Sequence, residues 1–293
     1  MLMGLVAVAE IAVILSPSRP HEALVILEPR AEPLVRGNGE SSVRLDTMYL
    51  EVSAPTAQIV LNRPSVLNCA NRQWVADLHA IADRLAEDDE IRVVTVRGAG
   101  RAFCTGIDLT ALSSGQIGMD FFSGWETALR KLETLDKILV CAIQSHCIGG
   151  GLQLALACDL RIARDDGRFG VTAVKEGIIP GMGMWRVARF AGLGRAKRLV
   201  LTADVVDAPT ALAWGLVDWV VSAADFESTI ARVTQQALDM GWTSTRLAKK
   251  LSNMAIDASF EEAFQSYVEF QRQSVGSPEH RQAMDEHRAS KRR

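Results

Sequence analysis

Two glycine-bearing segments hold the residues best suited to chemistry. The first is Ile148-Gly149-Gly150-Gly151-Leu152-Gln153, which runs into Leu154-Ala155-Leu156-Ala157-Cys158-Asp159. An apolar strand pattern meets three glycines, and the glycines meet an apolar helix pattern. Where Cβ atoms are missing, a ligand can approach the backbone closely. The first turn of a helix leaves N–H donors free beside a partial positive charge. Such a place receives an anion, or an oxyanion that develops during reaction. Tight packing of a helix on a strand would call for the same glycines, so the triplet alone leaves both readings open.

The second segment is Gly98-Ala99-Gly100-Arg101-Ala102-Phe103-Cys104-Thr105-Gly106-Ile107-Asp108-Leu109. It too follows an apolar strand pattern, and it offers N–H donors near Ile107 and a cation, Arg101. It is not a phosphate-cradling loop, because no Gly-Lys-Ser/Thr follows. Two strand-end loops with free N–H groups can together hold one carbonyl oxygen. A thioester enolate requires that arrangement, since negative charge moves onto this oxygen in the transition state. His146, just ahead of the glycines, has the one side chain that ordinarily titrates near neutrality, and it is read as a packed residue.

The elements around these segments set the fold class. Residues 49–52 and 57–61 read as a strand pair, and 92–97, 138–144 and 160–163 as short apolar strands. Residues 71–86 read as an amphipathic helix with Trp74, Leu78, Ile81 and Leu85 on one face, and 121–135 as a second helix. From Trp185 onward the pattern is mainly helical. Short strands alternating with helices predict an α/β architecture with right-handed crossovers.

Residues 1–46 differ. Pro17, Pro20, Pro29 and Pro33 punctuate them, and Gly37-Asn38-Gly39-Glu40-Ser41-Ser42 has linker composition. They are read as a weakly ordered extension, followed by a core over 47–222 and a helical region over 223–293. The apolar start, 1–17, is not read as a cleaved leader. No Lys or Arg precedes it, Glu10 interrupts it, and no small-x-small site ends it. It is also short for a membrane span.

With 293 residues, 48% of them hydrophobic, the chain can bury a sizeable core, and its net charge of −3 gives no general attraction to nucleic acid. The five cysteines, Cys69, Cys104, Cys141, Cys147 and Cys158, form no CxxC pair and are odd in number. They are read as reduced, mostly buried thiols of a cytoplasmic protein. No metal is expected.

Further motifs give the chain a family resemblance. They are Leu61-Asn62-Arg63-Pro64 with Leu67-Asn68, Phe169-Gly170, Gly177-Ile178-Ile179-Pro180-Gly181, and Ala211-Leu212-Ala213-Trp214-Gly215-Leu216-Val217-Asp218. With the two glycine segments, in this order and spacing, the chain from about residue 49 to its end resembles the crotonase (enoyl-CoA hydratase/isomerase) superfamily. The resemblance implies a spiral of ββα units and a C-terminal helical region used in trimer contacts, as a homotrimer or a dimer of trimers. It implies an acyl-CoA thioester substrate, with coenzyme A carried by the substrate and no separate cofactor. No membrane or nucleic-acid partner is expected. By resemblance, the oxyanion donors are the N–H groups of Ile107 and Gly150. The coenzyme A loop falls at Ser65, Val66 and Leu67. The stretch Gly106, Ile107, Asp108, Leu109 lies near the adenine, and Thr105, Gly149 and Ala173 complete the substrate-binding set. Many relatives carry Lys where this chain has Ser65, so a phosphate contact falls to Arg63, Arg101, or Lys291 and Arg292.

The chain departs from the family at its two usual glutamates. One belongs two residues after the triple glycine, where this chain has Gln153. The other belongs four residues before the glycine of Gly-x-x-Pro-Gly, where it has Ala173. One carboxylate normally activates water while the other delivers a proton. Gln153 can orient water or substrate but does not titrate, and Ala173 can do neither. Glu176, three residues beyond Ala173, is the substitute acid or base, against a reading of Val174-Lys175-Glu176 as a solvent-facing turn. Asp120 and Glu126 flank the second helix, which the resemblance implies lines the acyl pocket, and they are read as helix-start acids rather than substitute carboxylates. Asp108 is read as ordering its loop, and Asp159 as structural. Met182, Met184 and Trp185 line an acyl cavity or fill core. The expected activity is that of an enoyl-CoA hydratase/isomerase-like lyase or isomerase. The alternatives are a thioester or C–C bond hydrolase of the same fold, or a non-catalytic coenzyme A-binding protein.

Overall fold

The computed structural model describes residues 40–291. An antiparallel meander opens the described chain: β1 (Glu40–Arg44), β2 (Met48–Ser53) and β3 (Thr56–Leu61). β1 corrects the linker reading of its residues. Five of its positions pair with 49–53, and this edge strand is held by backbone bonds that side-chain composition does not encode. Leu45 and Asp46 lead from β1 into β2, and residues 1–39 of the expected N-terminal extension lie outside the described residues, as does Arg292.

Helix α1 (Arg72–Ala86) crosses from β3 to β4 (Val93–Gly98), which pairs with β3 in parallel. The Asn71 side chain accepts from the Trp74 N–H at 3.0 Å and caps the helix. Helices α2 (Leu109–Ser113) and α3 (Met119–Thr134) lead to β5 (Ile138–Ile143), again parallel. β5 is buried at every position and β4 at all but one. Continuous apolar runs of this kind belong to parallel strands covered on both faces.

β6 (His146–Ile148) and α4 (Gly150–Leu156) follow, then β7 (Leu160–Arg164) beside β5 and β8 (Arg168–Gly170). Next come α5 (Gly183–Ala191), α6 (Leu193–Thr202), β9 (Val205–Asp207), α7 (Ala208–Ala213) and β10 (Trp219–Val221). The main sheet has the order β1-β2-β3-β4-β5-β7-β10, and a three-stranded sheet has β6-β8-β9. The α/β alternation is therefore present. The region read as helical after Trp185 also contains the two short strands β9 and β10.

Both faces of the main sheet are covered. Trp74, Leu78 and Ile81 of α1 and Phe121, Trp125 and Leu129 of α3 join the large core cluster, where the rings of Trp74 and Trp125 stack at 4.7 Å. On the other side, Phe226, Ile230 and Val233 of α8 (Phe226–Leu238) cluster with Val93, Val140 and Ile162. α9 (Trp242–Met254) is tied to the core by Lys249, whose Nζ donates to Asp159 and to the Lys137 carbonyl at 2.8 and 2.7 Å. Asp159 is thus structural, as expected. α10 (Phe260–Val275) and α11 (Pro278–Ser290) bury no residue. Among the described residues no helix is long and apolar enough to cross a membrane.

Candidate active site

The loop after β4 carries the first donor. Ala70 forms an isolated parallel bridge with Ile107. Its N–H donates to the Gly106 carbonyl at 2.7 Å, and its carbonyl accepts from the Asp108 N–H at 2.9 Å. The strand-like grip thus falls on the residues either side of Ile107. Among the described residues the Ile107 N–H has no backbone acceptor.

The second donor opens α4. Gly149 adopts φ 58 and donates its N–H to the Gly170 carbonyl at 2.8 Å. Gly150 is then the first helical residue, and its N–H belongs to the turn that no intrahelical carbonyl can serve; among the described residues it also lacks a backbone acceptor. A Cβ on Gly106 would stand 3.0 Å from the Gly150 nitrogen, so the two loops touch where the two donors are. A Cβ on Gly151 would stand 2.2 Å from the Cys104 carbonyl oxygen. The triple glycine therefore serves tight packing as well as exposure of donors.

Both donor residues line a cavity of about 340 Å³. That cavity brings together Val66, Thr105, Ile107, Asp108, Leu109, Gly149, Gly150, Gln153, Ala173 and Glu176 of the expected site. Gly106 packs behind the donors. Ser65 is exposed in a short turn over Pro64–Val66, and the Leu67 carbonyl accepts from the Thr105 N–H at 3.2 Å; neither lines the cavity. Arg101 is exposed and, among the described residues, has no acidic partner. Lys291 is exposed at the end of the described chain.

Arg63 is committed elsewhere. Its guanidinium donates to Asp108 Oδ2 at 3.0 and 3.1 Å and to the Cys69 carbonyl at 2.6 Å. Asp108 Oδ1 accepts the N–H groups of Thr110 and Ala111, capping α2 and ordering the loop as expected. Burial pushes the Asp108 carboxyl up, but the Ala111 N–H and Arg63 outweigh it and hold the group below its ordinary range. Cys69, also in the cavity wall, has its thiol pushed up to about 11 by burial and by the Asp108 charge. It is therefore protonated and a poor nucleophile near neutrality.

At Gln153 the structure adds residues that local pattern did not reveal. The buried Gln153 donates from Nε2 to the Pro180 carbonyl at 3.1 Å and accepts at Oε1 from Arg186 Nη1 at 3.0 Å. Arg186, on α5, is 3% exposed. The same Nη1 donates to Glu126 Oε2 at 2.5 Å, and Nε donates to Glu133 Oε1 at 2.6 Å. Glu126 Oε1 also accepts the Met182 N–H at 2.9 Å. This corrects the helix-start reading of Glu126: α3 begins at Met119, and Glu126 stands two turns in, in the cavity wall. Asp120 does lie in the first turn, paired with Arg72. A charged residue on the otherwise apolar inner face of α5, beside Val187, is the signal that could have found Arg186.

Three other expectations change or resolve. His146 is exposed, with Nδ1 against the Ser145 hydroxyl at 2.7 Å, so it is not a packed histidine. The turn over Ala173–Glu176 leaves Val174, Lys175 and Glu176 exposed, with Glu176 at the cavity rim. Met182, Met184 and Trp185 are absent from the wall of this cavity. Trp185 instead faces a larger cavity of about 710 Å³ under α8 and α9, which contains neither Ile107 nor Gly150. All five cysteines are free and buried, as expected.

Comparison with known proteins gives one picture. The family model described as enoyl-CoA hydratase/isomerase matches residues 51–290. A short-chain-enoyl-CoA hydratase of Clostridium acetobutylicum is 30% identical over 225 residues, 75% of this chain and 86% of that protein. An (E)-benzylidenesuccinyl-CoA hydratase of Thauera aromatica is 34% identical over 219 residues, 69% of this chain and 81% of that protein. The crystal structure of an enoyl-CoA hydratase from Bacillus anthracis superposes with a TM-score of 0.78 at 26% identity, covering 84% of this chain and 97% of that one.

Proposed function

The chain belongs to the enoyl-CoA hydratase/isomerase family, and from that premise we propose that it acts on an acyl-CoA thioester by holding the thioester oxygen between the N–H groups of Ile107 and Gly150. The observation that carries this reading is the pair of main-chain donors, without backbone acceptors among the described residues, in one cavity wall. Charge that moves onto the thioester oxygen meets dipoles already in place. Each such donor is worth roughly 10²–10³ in rate in enzymes where one has been removed. Main-chain donors also survive side-chain change, so Gln153 and Ala173 leave this device intact.

The reaction proposed is a change in the acyl group with the thioester bond kept, an addition to or a shift of a carbon–carbon double bond. Gln153 acts in it as a positioning residue, because its amide is engaged with Pro180 and Arg186. Exposed Val66 and Leu109 flank the coenzyme A end, where the exposed Arg101 can meet a phosphate. Phe260 and Phe264 of α10, 76% and 51% exposed, suit the trimer contact expected of the family, and light scattering of the purified chain tests that.

The test of function is incubation with crotonyl-CoA, a longer 2-enoyl-CoA and a 3-enoyl-CoA, with products followed by mass spectrometry. The expected product is an altered acyl group still attached to coenzyme A. Release of free coenzyme A would replace this reading with thioester hydrolysis. Tight binding with no change in any thioester would replace it with a non-catalytic role.

A further inference from the structure

The family's two glutamate positions are empty of acid here, yet the cavity wall holds a carboxylate from another helix. Resting on the thioester reading above, we propose that Glu126 of α3 is the proton-transferring carboxylate of this site.

Among the described residues three carboxylates line the cavity: Asp108, Glu126 and Glu176. Asp108 is fully engaged, with one oxygen on the Thr110 and Ala111 N–H groups and the other on Arg63. Glu176 sits exposed at the rim, and among the described residues nothing holds its carboxylate. Glu126 is both held and placed. Oε1 accepts from the Met182 N–H and Oε2 from Arg186, which fixes the plane of the group. Each oxygen keeps a further lone pair for a proton.

Its position relative to Gln153 is the decisive geometry. One nitrogen of Arg186 donates to Glu126 at 2.5 Å and to Gln153 at 3.0 Å. A Cβ on Gly181 would lie 2.4 Å from Glu126 Oε1 and 3.5 Å from Gln153 Nε2. The side chain that Gly181 lacks would fill the space in front of both groups. The negative charge that relatives place at position 153 therefore stands one hydrogen-bond partner away, on α3. Trp125, the residue before Glu126, lies over the α-carbon of Gly150, so the same turn of α3 reaches the donor loop. Arg186 is anchored on its far side by Glu133, which also meets the exposed Arg130 at 3.2 Å. That anchoring limits the motion of Glu126, as a proton-transfer group requires.

The step is a proton transfer. The Glu126 carboxylate takes a proton from the α-carbon of the bound thioester. The C–H electron pair moves into the bond to the carbonyl carbon, and the carbonyl π pair moves onto the oxygen between Ile107 and Gly150. Return of the proton from the Glu126 carboxylic acid to carbon regenerates the carboxylate. No oxidant, reductant or further reactant is consumed.

The experiment is exchange of the α-hydrogens of butyryl-CoA in D2O, followed by mass spectrometry, beside calorimetric binding of the same thioester. Glu126→Gln should lower exchange about 100-fold or more while leaving affinity within about threefold, as expected when the lost interaction belongs to the transition state. Glu126→Asp should retain an intermediate rate, and Glu126→Gln/Gln153→Glu should recover part of the loss. Exchange within about tenfold of wild type in Glu126→Gln, well short of a general-base effect, would overturn the proposal. So would loss in Glu176→Gln but not in Glu126→Gln, or wild-type binding without exchange. If Glu126→Gln does not fold, a wild-type rate in Glu126→Asp would overturn it equally. Failure of the wild-type protein to bind any acyl-CoA would instead defeat the thioester reading on which this rests.

Discussion

A Cβ placed on Gly150 would lie 2.3 Å from Cζ2 of Trp125, so the first residue of α4 is roofed by an indole of α3. Gly150→Ala must displace that ring or the donor loop. The expected cost is about 1–3 kcal/mol of stability, typical of overpacking. Turnover of any thioester that the protein accepts should fall about 100-fold, the effect of one misplaced oxyanion donor. Thermal unfolding and initial rates on the same preparation check both figures.

Restoring acid at the family's two positions should restore the family's chemistry. Gln153→Glu/Ala173→Glu is expected to raise crotonyl-CoA hydration about 100-fold or more over wild type, the scale of positioned acid–base catalysis. The loss of enoyl-thioester absorbance measures it. A double variant no faster than wild type would mean that the acyl group does not pass between positions 153 and 173.

The Arg63–Asp108 pair predicts an acid-sensitive contribution to stability. The Asp108 carboxyl titrates below its ordinary 3.8 in the folded chain. The unfolded chain therefore binds more protons in that range, so the contribution is present above 3.8 and is lost as pH falls through the lower folded value. Asp108→Ala, which removes the cap of α2 and the Arg63 partner, should cost about 1–3 kcal/mol at neutral pH. The gap between variant and wild type should close in denaturant titrations below pH 3.8.

Native thiols should be slow to react. Burial pushes Cys104 up to about 12 and Cys69 to about 11, and lifts Cys141 and Cys147 well above their ordinary range. At pH near 8 an aromatic disulfide reagent should find no fast thiol in the folded protein and all five in denaturant. A stoichiometric fast phase in the native protein would contradict this.

The backbone part of the site was legible because it is local. Gly98 to Leu109 and Ile148 to Gln153 each carry their donor, their glycines and their strand-to-helix junction within a dozen residues. The structure places α1 over Arg72–Ala86 and β5 over Ile138–Ile143, each within a residue of the expected bounds. The polar cluster around Gln153 was not legible in the same way. Arg186 reaches Gln153 across 33 residues and Glu126 across 60, from separate helices. Only the folded chain brings α3, α4 and α5 together. Glu126 reads as a helix-start acid when the helix is begun at residue 121, whereas α3 starts earlier, at Gly118 to Met119. β1 was missed because an edge strand needs backbone partners more than a pattern of its own.

The stacked rings of Trp74 and Trp125, 6° from parallel, form a chromophore pair of which Trp125 faces the cavity and Trp74 lies buried behind it. Their electronic transitions are coupled at this spacing, and one ring rests on the residue that carries a donor N–H. A change in the seat of Gly150 must tilt one transition dipole against the other. The near-ultraviolet circular dichroism of the protein is therefore expected to respond to any ligand that shifts the Gly150 turn against Trp125.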